Sequence, residues 1–181
     1  MFHKNKLTRV IPVQGKPGLG LKSGFTVITD KHLSPMSEQA TPAPKTTIYQ
    51  FTVSFGDCDP AGIVFYPNFS RWMDASSENF FRTCGLPPWR EMAKTRGLVG
   101  TPLLEIHTQF HQSATYGQTL QIHTHVKEWR RRVFIQNHRV MRGEDLLCEG
   151  TETRIFCIKD PQNPDRIKSI EVPEDILALC R

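Results

Sequence analysis

The first regular pattern in the chain is an alternation of apolar and polar residues that begins near Thr46. The stretch TTIYQFTVSF sets every second side chain apolar, which predicts a half-buried β-strand with one face toward a core. The turn-rich stretch GDCDPAG follows and predicts that the strand ends there. The apolar face of the predicted strand consists of Tyr49, Phe51, Val53 and Phe55.

A helical pattern replaces the alternation between Pro67 and Gly85. Proline suits the first turn of a helix, and glycine suits the position just past its end. Apolar residues recur near helical spacing and predict a broad apolar stripe. A second, shorter helix is predicted in LPPWREMAKTRG, ending at Gly97. The stripe of the long helix consists of Phe69, Trp72, Met73, Phe80 and Cys84.

After Gly100 the period returns to two in four successive stretches. One strand, one long apolar helix and four sequential strands predict an α+β domain, in which a sheet with one apolar face wraps around the helix. The four stretches are TPLLEIHTQFHQ, QTLQIHTHVKEWR, RRVFIQNHRVMR and DLLCEGTETRIFCIK.

Residues 1–45 have no sustained pattern and are interrupted repeatedly by proline and glycine. We interpret residues 1–45 as a disordered basic leader or a non-native extension, and residues 46–181 as a single domain. Of the 23 Lys and Arg residues, six lie in residues 1–35 against one of the 18 acidic residues, so the rest of the chain carries 17 of each sign. A neutral body is a poor surface for nucleic acid.

Two further classes of protein are disfavoured by composition. No apolar run approaches the roughly 18 residues that a membrane-spanning helix requires, so we expect no membrane association. The five cysteines are scattered and form no CxxC pair. This distribution favours reduced thiols in a cytoplasmic protein over a disulfide framework or a zinc site.

The stretch DCDPAG allows two interpretations. It begins like a calcium loop, but Ala61 and Asn68 occupy two of the ligand positions and argue against calcium. An aspartate before proline most often serves a turn. The same position lies between a strand end and a helix start, where free backbone N–H groups favour negative charge. A carboxylate there could attack a carbonyl, or activate water against it.

Three adjacent arginines form a second candidate site in EWRRRVF. In a strand, Arg130 and Arg132 would face one way and Arg131 the other. Such a cluster could grip phosphate groups in bidentate fashion. It could equally be a solvated edge whose charges discourage unwanted strand pairing.

Histidines and one cysteine complete the candidates. His123 and His125 share a strand face, as do His107 and His111, but no acidic residue or cysteine is placed to complete a metal site. We therefore expect no metal. Cys58 lies inside the turn without an identifiable partner histidine, which favours a structural role.

The ordered motifs FGDCDPAGIVFYPNFSRWMDASSENFF, CGLPPWREM, GTP, KEWRRR and IEVPED resemble the 4-hydroxybenzoyl-CoA thioesterases of the hotdog-fold family. The resemblance runs from about Ile48 to Cys180. It implies a hotdog fold, a five-stranded antiparallel sheet wrapped around a long central helix. It also implies a homotetramer, a dimer of dimers, with acyl-CoA sites at subunit interfaces.

The same resemblance implies roles for two residues at the turn. Asp59 matches the catalytic carboxylate, which attacks the thioester to give an acyl-aspartyl anhydride or acts as a general base toward water. Tyr66 matches the residue whose backbone N–H polarises the thioester carbonyl at the helix start. Phe65 replaces a bulkier aromatic residue of the family, which affects the pocket.

Substrate contacts are implied at five further positions. Asp74 matches the carboxylate that accepts a hydrogen bond from the 4-hydroxyl of the acyl group, and Trp89 matches a residue of the same pocket. The family's basic triplet, which holds the CoA phosphates, ends in lysine, whereas here its third member is an arginine. The matching residues are Arg130, Arg131 and Arg132.

Together these observations predict a cytoplasmic acyl-CoA thioesterase that acts on an aromatic acyl-CoA, foremost 4-hydroxybenzoyl-CoA. No metal or redox cofactor is expected, because CoA arrives as part of the substrate. Two alternatives stay open. One is a thioesterase for short aliphatic or other aromatic acyl-CoAs, and the other is a non-catalytic acyl-CoA-binding hotdog module.

Overall fold

The structure, a computed structural model, describes residues 44–181. The predicted leader over residues 1–45 lies outside the described residues except for its last two. The helices are α1 (Pro67–Thr83), α2 (Trp89–Arg96) and α3 (Glu174–Cys180). The strands are β1 (Thr46–Thr52), β2 (Leu98–Gly100), β3 (Leu103–Phe110), β4 (Thr119–Trp129), β5 (Val133–Arg142), β6 (Asp145–Ile155), β7 (Cys157–Asp160) and β8 (Asn163–Ser169).

Five of the strands form one antiparallel sheet in the order β1-β4-β5-β6-β3. The sequential strands β4, β5 and β6 form its centre, while β1 and β3 form its edges. This arrangement confirms the prediction of one strand, one long helix and four sequential strands in an α+β domain. The second sheet, of order β2-β7-β8, was not predicted.

The long helix α1 has the predicted bounds because its end signals are strong. Pro67 occupies the first helical position, where its missing N–H costs nothing. Gly85 follows the last turn with φ of 95°, a left-handed conformation that glycine adopts without strain. All five residues of the predicted apolar stripe are buried. The stripe packs against inward side chains of the central strands, which include Leu120, Ile122, Val140 and Phe134.

A belt of polar side chains separates the core into two apolar clusters. Ser76 and Ser77 lie on the buried face of α1, between Met73 in one cluster and Phe80 in the other. The facing strands carry buried polar residues at the same level. Ser76 Oγ lies 2.7 Å from Thr124 Oγ1, and Ser77 Oγ donates to Gln136 Oε1 at 2.6 Å. The polar members on the strands are Thr124, Gln136, His138, Glu152 and Arg154.

Two details of the predicted strands were wrong. β1 ends at Thr52, and Phe55 is 80% exposed instead of buried on its inner face. The reason is local, because a capping box at Ser54 starts a 3₁₀ turn over Phe55–Asp57 that redirects the chain. The last alternating stretch is two strands and not one. The buried ring of Phe156 lies where the chain leaves β6 and enters β7 of the small sheet.

Gly150 on β6 is required by the close approach of α1. A Cβ atom at this position would overlap the sulfur of Met73 and come within 2.8 Å of its methyl carbon. Met73 is fully buried, so its side chain has little room to move away.

We predict that Gly150→Ala lowers the free energy of unfolding by about 1–3 kcal/mol, the usual cost of overpacking a core. Urea denaturation measures this quantity. Gly56→Ala is a matched control, because no atom lies within 4 Å of its added Cβ and its φ is not left-handed. The double variant Gly150→Ala/Met73→Ala should lose less stability than the sum of the single changes. Equal stability of the Gly150 and Gly56 variants would contradict the proposed clash.

Candidate active site

The two aspartates of the turn have different surroundings. Asp57 is committed to local structure: its Oδ2 accepts the Ser54 N–H at 2.9 Å. Its carbonyl oxygen accepts the backbone N–H of Phe65 at 2.9 Å and the side-chain amide of Asn68 at 2.8 Å. Asp57 therefore joins the end of the first strand to the start of α1.

Asp59 closes its own tight turn and keeps one carboxylate oxygen free. Its Oδ1 accepts the Ala61 N–H at 2.8 Å, and its backbone pairs with Ile63 and Gly62 at 2.9 Å each. Gly62 has φ of 77°, which this turn requires. Within residues 44–181, Asp59 Oδ2 makes no hydrogen bond. The turn interpretation thus holds for Oδ1, while Oδ2 remains available for chemistry.

The start of α1 supplies the complementary donor. Tyr66 caps the helix, and Pro67 follows it. The Tyr66 backbone N–H has no hydrogen-bond partner in the part of the chain that the structure describes. A free N–H at a helix start carries positive potential from the helix dipole. Asp59 lies in a short hairpin closed by the bridge between Cys58 and Val64, and Tyr66 follows that hairpin two residues later.

An apolar cavity of about 260 Å³ adjoins this hairpin. Ile63 and Tyr66 form one side, and Phe69 of α1 and Phe110 of β3 form another. The rings of Phe69 and Phe110 meet edge to face, with centroids 5.3 Å apart. The cavity places apolar surface beside the free donor of Tyr66.

A larger cavity, of about 350 Å³, lies further along α1 and contains two of the predicted substrate contacts. Asp74 and Ser77 of α1 line it together with Trp89, the first residue of α2. The segment that joins β2 to β3, around Thr101, also lines it. The fold thus brings Asp74 and Trp89 together, as expected. We name this space the Asp74 cavity.

Sequence reasoning missed the residue that holds Asp74. Arg154, on β6, donates from Nη2 to Asp74 Oδ1 at 2.7 Å and from Nε to Glu152 Oε2 at 2.7 Å. His138 Nε2 lies 3.1 Å from the same Glu152 oxygen. One signal in the sequence could have indicated a buried ion pair. The alternation of β6 places Glu152 and Arg154 on the core face of the strand, where an unpaired charge is not tolerated.

The protonation of this buried group follows from its contacts. Burial would raise the pKa of Glu152, but hydrogen bonds from His138 and Arg154 outweigh it and hold the pKa below its ordinary value of 4.5. Burial would lower the pKa of Arg154, but the bonds and charges of Glu152 and Asp74 outweigh it and raise that pKa. Glu152 is therefore a carboxylate and Arg154 a cation at neutral pH.

The arginine triplet does not lie in a strand as predicted. It forms the turn between β4 and β5, so the expected alternation of faces does not apply. Arg130 Nε donates to Glu128 Oε1 and Arg131 Nε to Glu171 Oε1, each at 2.8 Å. Arg132 is exposed and makes no ion pair within the described residues. The turn places three cations at the surface, two of them engaged by carboxylates.

The remaining candidates are packed or surface residues. His111 lies one residue past the end of β3 and pairs with Glu149 at 3.4 Å. Burial lowers the pKa of His125. Among residues 44–181 no group of three or more histidine, cysteine or acidic side chains could hold a metal ion. Cys58 is half-buried and packs against the core.

No described helix has the length and apolar character needed to cross a membrane.

Residues 53–179 match the thioesterase-like superfamily. The chain belongs to this superfamily. It is 47% identical over 136 residues to the 4-hydroxybenzoyl-CoA thioesterase of Pseudomonas sp. (strain CBS-3), a match that covers 72% of this chain and 94% of that protein. The expected family is therefore confirmed, and with it the expectation that this chain is a thioester-hydrolysing enzyme.

Solved structures of other thioesterases share the fold. One is an aspartate-to-asparagine mutant of 4-hydroxybenzoyl CoA thioesterase complexed with 4-hydroxybenzoyl CoA, with a TM-score of 0.70, 45% identity, and coverage of 75% of this chain and 99% of that one. Another is a gentisyl-coenzyme A thioesterase, with a TM-score of 0.63, 28% identity, and coverage of 74% and 98%. The predicted hotdog fold of this thioesterase is confirmed.

The buried Glu152 should make this thioesterase sensitive to acid. Because the pKa of Glu152 is lower in the folded chain than its ordinary value of 4.5, its contribution to stability is present above pH 4.5 and lost as the pH falls below it. We predict that Glu152→Gln costs about 3–5 kcal/mol at pH 7, as removal of one partner from a buried pair does. The cost should shrink as the pH is lowered from 5 to 3.

Urea denaturation across that pH range measures the difference. Glu149→Gln, on the same strand but half-exposed, is the control, and it should change stability by less than about 1 kcal/mol at either end of the range. A constant cost of Glu152→Gln at every pH would contradict the assigned carboxylate.

Proposed function

We propose that this thioesterase hydrolyses 4-hydroxybenzoyl-CoA to the free acid and CoA. The observation that carries the proposal is the 47% identity to a 4-hydroxybenzoyl-CoA thioesterase across 94% of that protein. Acyl-CoA thioesterase activity rests on the same identity and on the superfamily match. The geometry of the Asp59 turn and of the Asp74 cavity supports 4-hydroxybenzoyl-CoA as the substrate.

Asp59 is the proposed catalytic carboxylate. Its free Oδ2 attacks the thioester carbonyl carbon, the C–S bond breaks, and CoA leaves as a thiolate that takes a proton from solvent. Water then cleaves the acyl-aspartyl anhydride and restores the carboxylate. In the alternative route, Asp59 removes a proton from the water that attacks the carbonyl directly. In both routes the Tyr66 N–H stabilises the oxyanion.

We assign the acyl group to Asp74 and Trp89, and the nucleotide of CoA to the arginine triplet. Asp74 accepts a hydrogen bond from the 4-hydroxyl, and Trp89 forms an aromatic wall beside the ring. Arg130, Arg131 and Arg132 bind the phosphates of CoA. Arg132 is free to do so at once, whereas the phosphates must draw the other two away from Glu128 and Glu171, which their exposure allows. No metal or redox cofactor takes part in this scheme.

Within the described residues of one chain, Asp59 and Asp74 do not line a common cavity, which supports a site built from more than one chain. Tyr66 and Asp74 are eight residues apart on α1, about 12 Å along the helix axis. Asp59 does not line the Asp74 cavity. The edge strand β3 exposes Leu104 and Ile106, and a long apolar edge is a surface for pairing with another chain. We therefore place the complete site at the interface of a cytoplasmic homotetramer.

We predict that Asp59→Asn lowers kcat for 4-hydroxybenzoyl-CoA by roughly 10²–10⁴-fold, the contribution expected of a positioned acid–base group. The fold should survive, because the amide oxygen of asparagine still accepts the Ala61 N–H. Thiol release measures turnover. Asp57→Asn is the matched control in the same turn and should keep most activity. Near-normal turnover of Asp59→Asn would refute the catalytic assignment, and no thiol release from the wild type would favour the binding module.

We predict that the wild type prefers 4-hydroxybenzoyl-CoA to benzoyl-CoA and butyryl-CoA, and that Asp74→Ala loses the preference for the hydroxyl by about 10–100-fold in kcat/KM. A hydrogen bond to a charged group contributes about 1.5–3 kcal/mol, which corresponds to that ratio. Glu78→Ala, another acidic residue of α1 beside the cavity, is the control. Equal rates on all three substrates would overturn the hydroxy-aromatic substrate and keep the thioesterase.

Light scattering of the purified chain should give the mass of four chains, about four times 20.7 kDa. Ile106→Lys places a charge on the exposed edge of β3 and should shift the particle to a smaller mass with loss of turnover. A fully active monomer would contradict a site shared between subunits.

A further inference from the structure

The polar belt contains a continuous chain of hydrogen bonds that begins and ends on α1. It runs from Ser76 through β4, β5 and β6 and returns to the helix at Asp74, with successive polar atoms between 2.7 and 3.1 Å apart. Every member except Asp74 is buried. The members in order are Ser76, Thr124, His138, Glu152, Arg154 and Asp74.

Arg154 is the member that reaches the Asp74 cavity, and each of its guanidinium nitrogens has its own acceptor. Nε bonds to Glu152, Nη2 to Asp74, and Nη1 to the Thr101 carbonyl oxygen at 3.0 Å. Asp74 and Thr101 both line the cavity, as Arg154 itself does. The guanidinium therefore joins α1 to the segment between β2 and β3 at the cavity.

The exposure of the partners differs sharply. The Asp74 side chain is 70% exposed, whereas the side chains of Arg154 and Glu152 are 6% and 1% exposed. An exposed aspartate on a helix ordinarily samples several rotamers, and ordering it costs entropy. A buried guanidinium that cannot move holds Oδ1 in one place. Asp74 Oδ2 makes no hydrogen bond within the described residues and is left to accept one.

A buried ion pair is a poor way to gain stability, because desolvation offsets most of its attraction. An apolar pair would fill the same volume without that cost. Stability therefore does not explain why a buried arginine is placed at the cavity. The belt provides what an apolar pair would not, a fixed donor directed at a carboxylate on the cavity wall.

We propose that Arg154 is the positioning residue of the acyl pocket: held by Glu152, which His138 contacts in turn, it fixes Asp74 and the Thr101 segment so that the pocket selects an aromatic acyl group with a hydrogen-bond donor at its far end. This inference rests on the proposed function, since it assigns Arg154 to act through Asp74. Arg154 itself touches no reacting atom.

The test compares kcat/KM for 4-hydroxybenzoyl-CoA and benzoyl-CoA in the full chain. Arg154→Lys keeps the charge but cannot reach three acceptors, and we expect kcat/KM for 4-hydroxybenzoyl-CoA to fall by roughly 10-fold or more beyond any fall for benzoyl-CoA. If Arg154 acts through Asp74, then Arg154→Lys in the Asp74→Ala background changes the preference no further.

Removal of one buried charge risks unfolding, so a second variant removes both. Arg154→Met/Glu152→Leu replaces the pair with apolar groups of similar size, which folded proteins often tolerate. It should remain folded by circular dichroism, still hydrolyse benzoyl-CoA at a measurable rate and lose the preference for the hydroxyl. Arg142→Lys, whose guanidinium contacts Asp145 at the far end of the same sheet, is the control and should change neither rate.

The outcomes separate this inference from the proposed function. A wild type without any preference for the hydroxyl overturns the proposed substrate and this inference together. A preference that Asp74→Ala abolishes but the Arg154 variants retain overturns this inference alone. An equal loss on both substrates, additive with Asp74→Ala, assigns Arg154 to general stability and also overturns it.

Discussion

The packing of α1 on one face of the five-stranded sheet is the contact on which the candidate site depends. The helix starts at the Asp59 hairpin and carries Asp74 about two turns later, so a shift of the helix moves both residues. Large apolar side chains provide the driving force, and the absence of a side chain at Gly150 lets Met73 approach the sheet. The depth of the helix is therefore determined by one glycine opposite one methionine.

The polar belt adds direction to this packing. Two apolar clusters could slide past one another at little cost, because the hydrophobic effect has no direction. A two-residue slip of a strand would move Thr124 or Gln136 away from its serine partner on α1 and leave buried hydrogen-bonding groups unpaired, which is costly. The belt thus specifies the register between α1 and the central strands. Arg154, the charged residue at the end of the belt, also lines the Asp74 cavity, so the same alignment determines the position of that lining.

The proposed functional groups lie at three places on the chain: the hairpin before α1, the middle of α1 with the start of α2, and the turn between β4 and β5. Each place has a local reason to exist. Unpaired backbone N–H donors occur at the start of a helix. A cavity forms where α1 passes the β2–β3 segment. A hairpin turn can carry adjacent cations without burying them. The proposed substrate, a thioester linked to a long, charged carrier, would require all three kinds of surface at once.

The sequence by itself determined the long helix, its two end signals, the strand order along the chain and the family, because periodicity, capping residues and ordered motifs are local properties. It also indicated Asp59, since the turn and the helix start are adjacent in sequence. Tertiary structure alone decided that Arg154, 80 residues from Asp74, is its partner. It likewise placed the arginine triplet in a turn. In the sequence, a buried charge pair is visible only as a charged residue on an otherwise apolar face. The identity of its partner depends on which elements pack together.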